Sequence, residues 1–217
     1  MKKSISILGS TGSIGLSSLK IIKKKKNFFT INLLAANQNY NLICKQIYEF
    51  KPKIFIVNDA NTYKKVYEKF KKNKVKIIKL DDLKKIKLIK SDITITAIPG
   101  IAGLKPTLEL TKVSKKILIA NKESIICGWN LIKKTAIKNK TKIIPIDSEH
   151  FSIMKLLENH KINEVKKIFL TASGGPFLNY NLSQLKNAKP AEAIKHPKWK
   201  MGKKISIDSA SLMNKML

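Results

Sequence analysis

The chain has 217 residues and a formal net charge of +30, from 44 basic residues against 14 acidic ones. That length accommodates one large domain or two small ones with a real core, and no apolar run reaches the roughly 20 residues that cross a bilayer, so no membrane partner is expected. Every basic residue is a lysine; with no arginine fork to read phosphates or base edges, and with the lysines scattered over every helical stretch, no nucleic-acid partner is expected and the charge reads as drift toward A/T-rich codons.

Short apolar runs alternate with stretches of helical period. The first strand, Ser4–Leu8, begins almost at Met1, with no signal-peptide pattern ahead of it. It leads into Gly9-Ser10-Thr11-Gly12-Ser13-Ile14-Gly15 and then a helix over Ile14–Lys24. A G-x-x-G-x-x-G turn between strand and helix lets the backbone lie against a pyrophosphate, whose charge sits at the helix N-terminus; a nucleotide site is expected here. A strand over Ile31–Ala35 ends at Asn37-Gln38-Asn39, where this kind of fold reads the adenosine ribose. No carboxylate stands there to repel a 2′-phosphate and no basic residue to favour one, so NADP is permitted without being selected.

Helix Tyr40–Phe50, strand Lys53–Val57, helix Asn61–Lys71 and strands Val75–Ile78, Ile93–Ala97 and Ile117–Ala120 follow, then helix Ser124–Lys138 and strand Lys142–Ile146. The repetition predicts an α/β fold with a doubly wound, Rossmann-like parallel sheet over residues 1–147. Cys44 falls in a helix and Cys127 just past Asn121-Lys122-Glu123-Ser124; with no C-x-x-C spacing or disulfide framework, a reducing cytoplasm is expected.

The rhythm changes at Asp147-Ser148-Glu149, at the carboxyl end of the last of these strands. Two carboxylates so placed can hold one hard divalent cation; from spacing alone a helix N-cap with an acidic first turn, the commoner arrangement, is favoured. Residues 148–217 read as part of an α+β domain: a helix over Ser148–Glu158, a strand over Lys166–Thr171, a long aperiodic segment over Ser173–Lys203, a strand over Ile205–Asp208 and a helix starting at Ser209. The long segment reads as a lid, with Trp199 and Met201 shielding a site from water, or as a loop whose tryptophan packs on the core. Ser173-Gly174-Gly175 can present backbone N–H groups to an anion. Ser209 with Asn214 and Lys215 suits a phosphate or an ordinary helix cap. The last helix is only about two turns long at Leu217, with no C-cap signal, and a truncated chain is expected.

These pieces, in this order, resemble the 1-deoxy-D-xylulose 5-phosphate reductoisomerase family. The matching stretches are ILGSTGSIG, ITAIPGIAGLKPTLEL, ILIANKESIICG, IPIDSEHFSI, LTASGGPF and HPKWKMGKKISIDSASLMNK. The resemblance implies an enzyme of non-mevalonate isoprene biosynthesis, an NADPH- and divalent-metal-dependent oxidoreductase and isomerase. It would convert 1-deoxy-D-xylulose 5-phosphate to 2-C-methyl-D-erythritol 4-phosphate with manganese, magnesium or cobalt. It implies that Thr11, Gly12, Ser13, Ile14, Asn37, Gln38, Asn39, Asn121, Glu123 and Gly202 bind the coenzyme. Asp147 and Glu149 would ligate the metal, and Lys122, Glu149 and His196 would be catalytic. Lys122, Ser148, Glu149, Ser173, His196, Ser209, Asn214 and Lys215 would bind the sugar phosphate, and His196, Trp199 and Met201 would belong to the lid. It implies a homodimer at full length, a third metal-binding glutamate directly after Leu217, and a chain inactive without it. Asn37 and Gln38 depart from the glycine and basic residue usual in the family.

Two other classes compete. A semialdehyde dehydrogenase shares the glycine turn but needs a cysteine nucleophile in a turn opening its second domain, which neither Cys44 nor Cys127 provides. A non-catalytic remnant that still binds nucleotide is the second.

Overall fold

The apolar runs close into a seven-stranded sheet in which every adjacent pair is parallel, as the sequence predicts. The computed structural model describes residues 1–198 and 202–216, Met216 by its backbone alone. The strands are β1 (Lys3–Leu8), β2 (Phe29–Ala36), β3 (Ile54–Val57), β4 (Lys76–Lys79), β5 (Ser91–Thr96), β6 (Ser114–Ile119) and β7 (Lys142–Pro145). Their order across the sheet is β4-β3-β2-β1-β5-β6-β7. The chain therefore winds outward from β1 through β2, β3 and β4, then crosses back to lay β5 on the other side of β1. The crevice at the carboxyl ends of β1 and β5 is the switch point, where open parallel sheets bind ligands.

Parallel strands are buried on both faces, which is why Ile54-Phe55-Ile56-Val57 is apolar throughout and wholly buried. On one face Ile5, Ile7, Leu34, Phe55 and Val57 pack among Leu19 and Ile22 of α1 (Ser13–Lys24), Ile43 and Ile47 of α2 (Tyr40–Phe50), and Val66 and Phe70 of α3 (Ala60–Phe70). On the other, Leu8, Leu33, Ala35, Ile54, Ile56 and Ile78 meet Leu83 and Leu110, the latter from α4 (Leu104–Thr111). Each such side chain contributes about 1.5–3 kcal/mol through burial. A third cluster seats Ile132 of α5 (Lys122–Asn139) on Ile117 and Ile119 of β6. Among the described residues no helix is long and apolar enough to cross a membrane.

At the amino ends of the central strands, Asp92 ties β1, β5 and β6 together. Its carboxylate accepts from the Ser4 backbone N–H and hydroxyl, both at 2.8 Å, and pairs with the Lys115 ammonium at 2.7 Å. The Lys115 contact and the Ser4 hydrogen bonds hold its pKa well below the ordinary carboxylate value of 3.8. A folded pKa depressed in this way gives stability that is fully present above about 3.9, the unfolded value, and is lost as pH falls toward the folded one. Asp92→Asn is expected to cost about 1–3 kcal/mol at neutral pH and to flatten the loss of Tm on acidification. Melting curves of parent and variant that run parallel from neutral pH down into the acid range would count against this role.

The chain divides into two compact units, residues 1–151 and 152–217, with α6 (Ser148–Leu156) running across the division. Three expectations fail in the second unit. Lys166–Thr171 forms no strand: Ile168, Phe169 and Leu170 are exposed, and no described strand lies beside them to satisfy a ladder of N–H and C=O groups. Ser173–Lys203 is not devoid of regular structure; it holds two short helices, α7 (Leu182–Lys186) and α8 (Pro190–Ala193). Asn181 caps α7 by accepting from Gln184 N–H at 2.9 Å, a local signal within an aperiodic stretch. Ile205–Asp208 is helical within α9 (Lys203–Ala210), so Ser209 lies in a last turn and not at a helix start. Ser206 and Ser209 are the buried pair on that helix, a three-residue spacing that suits a helix and defeats the apparent alternation. A final turn of helix, α10 (Met213–Met216), follows Leu212, whose backbone is left-handed at φ 59°.

Candidate functional site

The glycine turn lies at the switch point. After β1 the N–H groups of Gly9 and Ser10 donate to Ala35 O at 2.9 and 2.8 Å, bending the chain over β2. Gly9 has φ +83°, and a Cβ there would stand 2.5 Å from Ala97 O in the loop after β5; at Gly15 it would stand 2.3 Å from Gly9 O. Both close approaches exclude side chains and bring α1 down onto the turn. Gly12 takes the N-cap position without a side-chain cap, and no acidic residue occupies the first turn. The first-turn N–H groups of α1 are thus capped by no side chain, and Thr11, Gly12, Ser13 and Ile14 are partly or fully exposed around them, the arrangement an anion needs. Ser10 is buried; its hydroxyl donates to Gln46 Oε1 at 2.7 Å and its carbonyl accepts from Gln46 Nε2 at 2.9 Å, which anchors the turn to α2. Sequence reasoning passed over Gln46; a polar residue on the buried face of an amphipathic helix is the signal that marks it.

Beyond β2, Asn37 Oδ1 accepts from Asn58 Nδ2 at 2.9 Å. Asn39 caps α2, accepting from Leu42 N–H at 3.1 Å. The Gln38 side chain is exposed, while its carbonyl accepts from Tyr40 N–H at 2.8 Å and from the Thr62 hydroxyl at 3.3 Å. Asn58 was not anticipated, because it is far from Asn37 in sequence.

On the other side of the switch point, Asn121 links two loops. Its Oδ1 accepts from Ser124 N–H at 2.8 Å, capping α5, while its Nδ2 donates to Gly100 O at 2.8 Å and to Ile98 O. Glu123 sits in the same first turn. Lys122 Nζ lies 3.8 Å from Asp147 Oδ2, and both side chains are largely buried. Asp147 Oδ1 faces His150, with Nδ1 at 2.9 Å and the backbone N–H at 3.4 Å. Burial pushes the Asp147 carboxyl up, but the His150 hydrogen bonds and the Lys122 and His150 charges outweigh it and keep the pKa below the ordinary value. Glu149 accepts from the Ser148 hydroxyl at 3.0 Å. Asp147 thus occupies the capping position, and beside Glu149 it forms a pair of hard oxygen donors of the kind Mg²⁺ and Mn²⁺ accept. Among the described residues no group of three or more His, Cys, Asp or Glu could hold a metal. Cys44 is buried in α2 and Cys127 is exposed on α5, so neither opens a turn as a nucleophile would.

In the second unit Ser173, His196 and Ser209 converge. Lys198 N–H donates to His196 Nδ1 at 3.1 Å, so a neutral ring carries its proton on Nε2. Nε2 then donates to Ser173 Oγ at 3.0 Å, which also accepts from Gly175 N–H at 3.4 Å. With those bonds received, the Ser173 proton is left to donate, and Ser209 Oγ lies 3.3 Å away. The cluster is a set of donors and not a Ser–His nucleophile, since the imidazole gives a proton to the serine and takes none. Asn214 and Lys215 lie on α10, and Gly202 is the N-cap of α9. Trp199 and Met201 lie outside the described residues.

Residues 5–128 match the family model for 1-deoxy-D-xylulose 5-phosphate reductoisomerase, and residues 143–217 match the model for that family's C-terminal domain. The reductoisomerase of Pelagibacter ubique is 52% identical over 99% of this chain and 56% of its own length; that of Clostridium novyi is 43% identical over 99% and 57%. The chain spans about half the length of the curated relatives it matches. A crystal structure of a DOX-P reductoisomerase in complex with NADPH, fosmidomycin and magnesium superposes with a TM-score of 0.87 at 36% identity, over 98% of this chain and 55% of that one. The Zymomonas mobilis reductoisomerase in complex with NADPH gives 0.86 at 33%, over 99% and 56%.

Proposed function

This chain belongs to the 1-deoxy-D-xylulose 5-phosphate reductoisomerase family, and from that premise we propose that it carries the coenzyme site, and part of the metal and substrate sites, of an enzyme that makes 2-C-methyl-D-erythritol 4-phosphate. The observation that carries the reading is the arrangement of the first unit. The uncapped α1 turn follows β1 and the Asp147–Glu149 pair follows β7, so an anion site and a hard-cation site share the carboxyl edge of one parallel sheet.

The residues fit the two groups the family uses. Backbone N–H groups of Thr11, Gly12, Ser13 and Ile14 would hold the coenzyme pyrophosphate, and Asn37, Gln38 and Asn39 its adenosine end. Asn121 would hold the nicotinamide end in place by bracing the loop after β5 against α5, with Glu123 as a further contact. Asp147 and Glu149 would ligate the divalent metal. When bound, the metal supplies Lewis acidity at vicinal substrate oxygens and NADPH supplies hydride. Lys122, paired with Asp147, would balance negative charge on a substrate oxygen, with Ser148 and Glu149 as neighbouring contacts. In the second unit, Ser173 and Ser209 offer hydroxyl donors to the substrate phosphate, His196 orients Ser173 through Nε2–H, and Asn214 and Lys215 add an amide and a cation. A homodimer and a cytoplasmic setting complete the proposal; two cysteines without a disulfide suit the latter.

The test is NADPH absorbance in a polypeptide that contains this chain and spans the full length of its relatives. Oxidation is expected only when deoxyxylulose phosphate and Mn²⁺ or Mg²⁺ are both present. Coenzyme binding without substrate-dependent oxidation under any divalent metal would leave the nucleotide-binding remnant as the correct reading.

A further inference from the structure

We propose that the amino edge of the parallel sheet, opposite the coenzyme crevice, docks on an anionic phospholipid surface. The lysines scattered along the sequence are not scattered in space. Taken in order across the sheet, Lys76 begins β4, Lys53 precedes β3, Lys3 begins β1, Lys90 precedes β5, Lys115 is the second residue of β6 and Lys142 begins β7. All are exposed, and among the described residues Lys115 alone of them is in an ion pair, with Asp92. Neighbouring strands lie about 4.8 Å apart, so the row runs for roughly 29 Å. At the carboxyl ends of the same strands only β4 carries a lysine, Lys79. Drift in codon usage has no preference for one end of a strand.

Two ordinary roles do not account for the row. Lysines also close the helices at this edge, as Lys51 does at the α2 C-cap and Lys140 at the α5 C-cap, and there they complement the helix dipole. Strands carry almost no net dipole, so the lysines at their starts gain nothing from it. Steering of an anionic coenzyme or substrate would place the charge around the crevice, at the other edge. The two sets of lysines meet in hollows. Lys23, Lys26, Lys51 and Lys53 line one of about 620 Å³, and Lys90, Lys112, Lys115 and Lys140 line another of about 620 Å³. The carboxylates in these hollows, Glu49 and Asp92, are paired with Lys23 and Lys115. At β2 the row is broken by Phe28, which stands 65% exposed just before the strand while its carbonyl accepts from Lys3 N–H at 2.8 Å. An exposed ring among ammonium groups suits a bilayer surface: the charges are drawn to acidic head groups, and the ring enters the boundary with the acyl chains. With no arginine in the chain, the bidentate phosphate contacts that favour nucleic acid are missing. The lack of a spanning run or helix excludes crossing a bilayer, not docking on one. Docking by the amino edge leaves the crevice at the carboxyl edge open to water.

The experiment is co-sedimentation of the chain, at about 0.15 M salt, with vesicles of phosphatidylcholine alone and of phosphatidylcholine mixed with phosphatidylglycerol. Binding is expected only to the mixed vesicles. Replacing three edge lysines together, Lys53→Gln, Lys76→Gln and Lys90→Gln, is expected to lower the partition coefficient by more than about 30-fold. Lys45→Gln, Lys64→Gln and Lys133→Gln remove the same charge from exposed positions in the bodies of α2, α3 and α5; together they are expected to lower it less than about threefold, because charges held away from the surface are screened. Phe28→Ser is expected to lower it about tenfold. Equal losses in the two triple variants would show that net charge alone is at work and overturn the proposal. Full binding by Phe28→Ser, or no binding of the parent to the acidic vesicles, overturns it too. Release of the chain from the vesicles by an equal phosphate concentration of random-sequence duplex DNA would make nucleic acid the partner instead.

Discussion

Gly15→Ala is expected to abolish coenzyme binding, lowering affinity by at least about 100-fold, or ~2.7 kcal/mol. The added methyl would lie 2.3 Å from Gly9 O and 2.6 Å from Ser10 Cα, all backbone, so no side chain can swing aside. Helix α1 must lift off the turn, and its first-turn N–H groups move away from the place a pyrophosphate would occupy. Lifting the helix also breaks the packing of Leu19 and Ile22 against β1 and β2, so Tm should fall. Gly12→Ala separates the two effects. Its Cβ would meet only Gly9 O at 3.4 Å, an ordinary contact, so stability should hold while the methyl crowds the anion and weakens binding. Titration with NADPH alongside thermal melting decides the matter: full affinity in Gly15→Ala, or an equal drop in Tm for both variants, would show that the turn has no special relation to the coenzyme.

Asp147→Asn separates a metal ligand from a helix cap. Asparagine caps a helix about as well as aspartate, and its amide oxygen can still accept from His150, so the loss of stability is expected to stay below about 1 kcal/mol. As a ligand for a hard cation the amide is far poorer than a carboxylate, and Mn²⁺ affinity should fall by about 100-fold, roughly 2.7 kcal/mol. Mn²⁺ binding followed by electron paramagnetic resonance, next to a melting curve, reads both quantities. Unchanged metal affinity would return Asp147 to capping alone, and a collapse in stability would point instead to the buried pairing with Lys122.

The first unit was largely legible because its signals are local. A run such as Ile54–Val57 is apolar at every position, which only a strand buried on both faces tolerates, and α2 begins and ends where its periodicity does, at Tyr40 and Phe50. In the second unit the local pattern misleads. Ile205-Ser206-Ile207-Asp208 alternates like a strand, yet Ser206 is buried and Ile205 and Ile207 are exposed. Lys166–Thr171 has the composition of a strand without a described neighbour to pair with. Strand propensity expresses fit to a pleated neighbour more than an intrinsic backbone preference, so a run read alone does not reveal whether that neighbour exists.

The same distinction separates the parts of the site. The glycine turn was readable from seven consecutive residues, because left-handed φ and close backbone approach are properties of the residue type itself. The Asp147–Glu149 pair was readable as two carboxylates, but its connection to Lys122 was not. Nor was the Asn37–Asn58 amide pair, 21 residues apart, or the Ser173–His196–Ser209 cluster, whose members lie 23 and 36 residues from Ser173. Those contacts exist because the order in which strands and loops are laid down brings distant residues within hydrogen-bond range. Short-range sterics are written in the chain; which polar group meets which is decided only when the backbone closes around them.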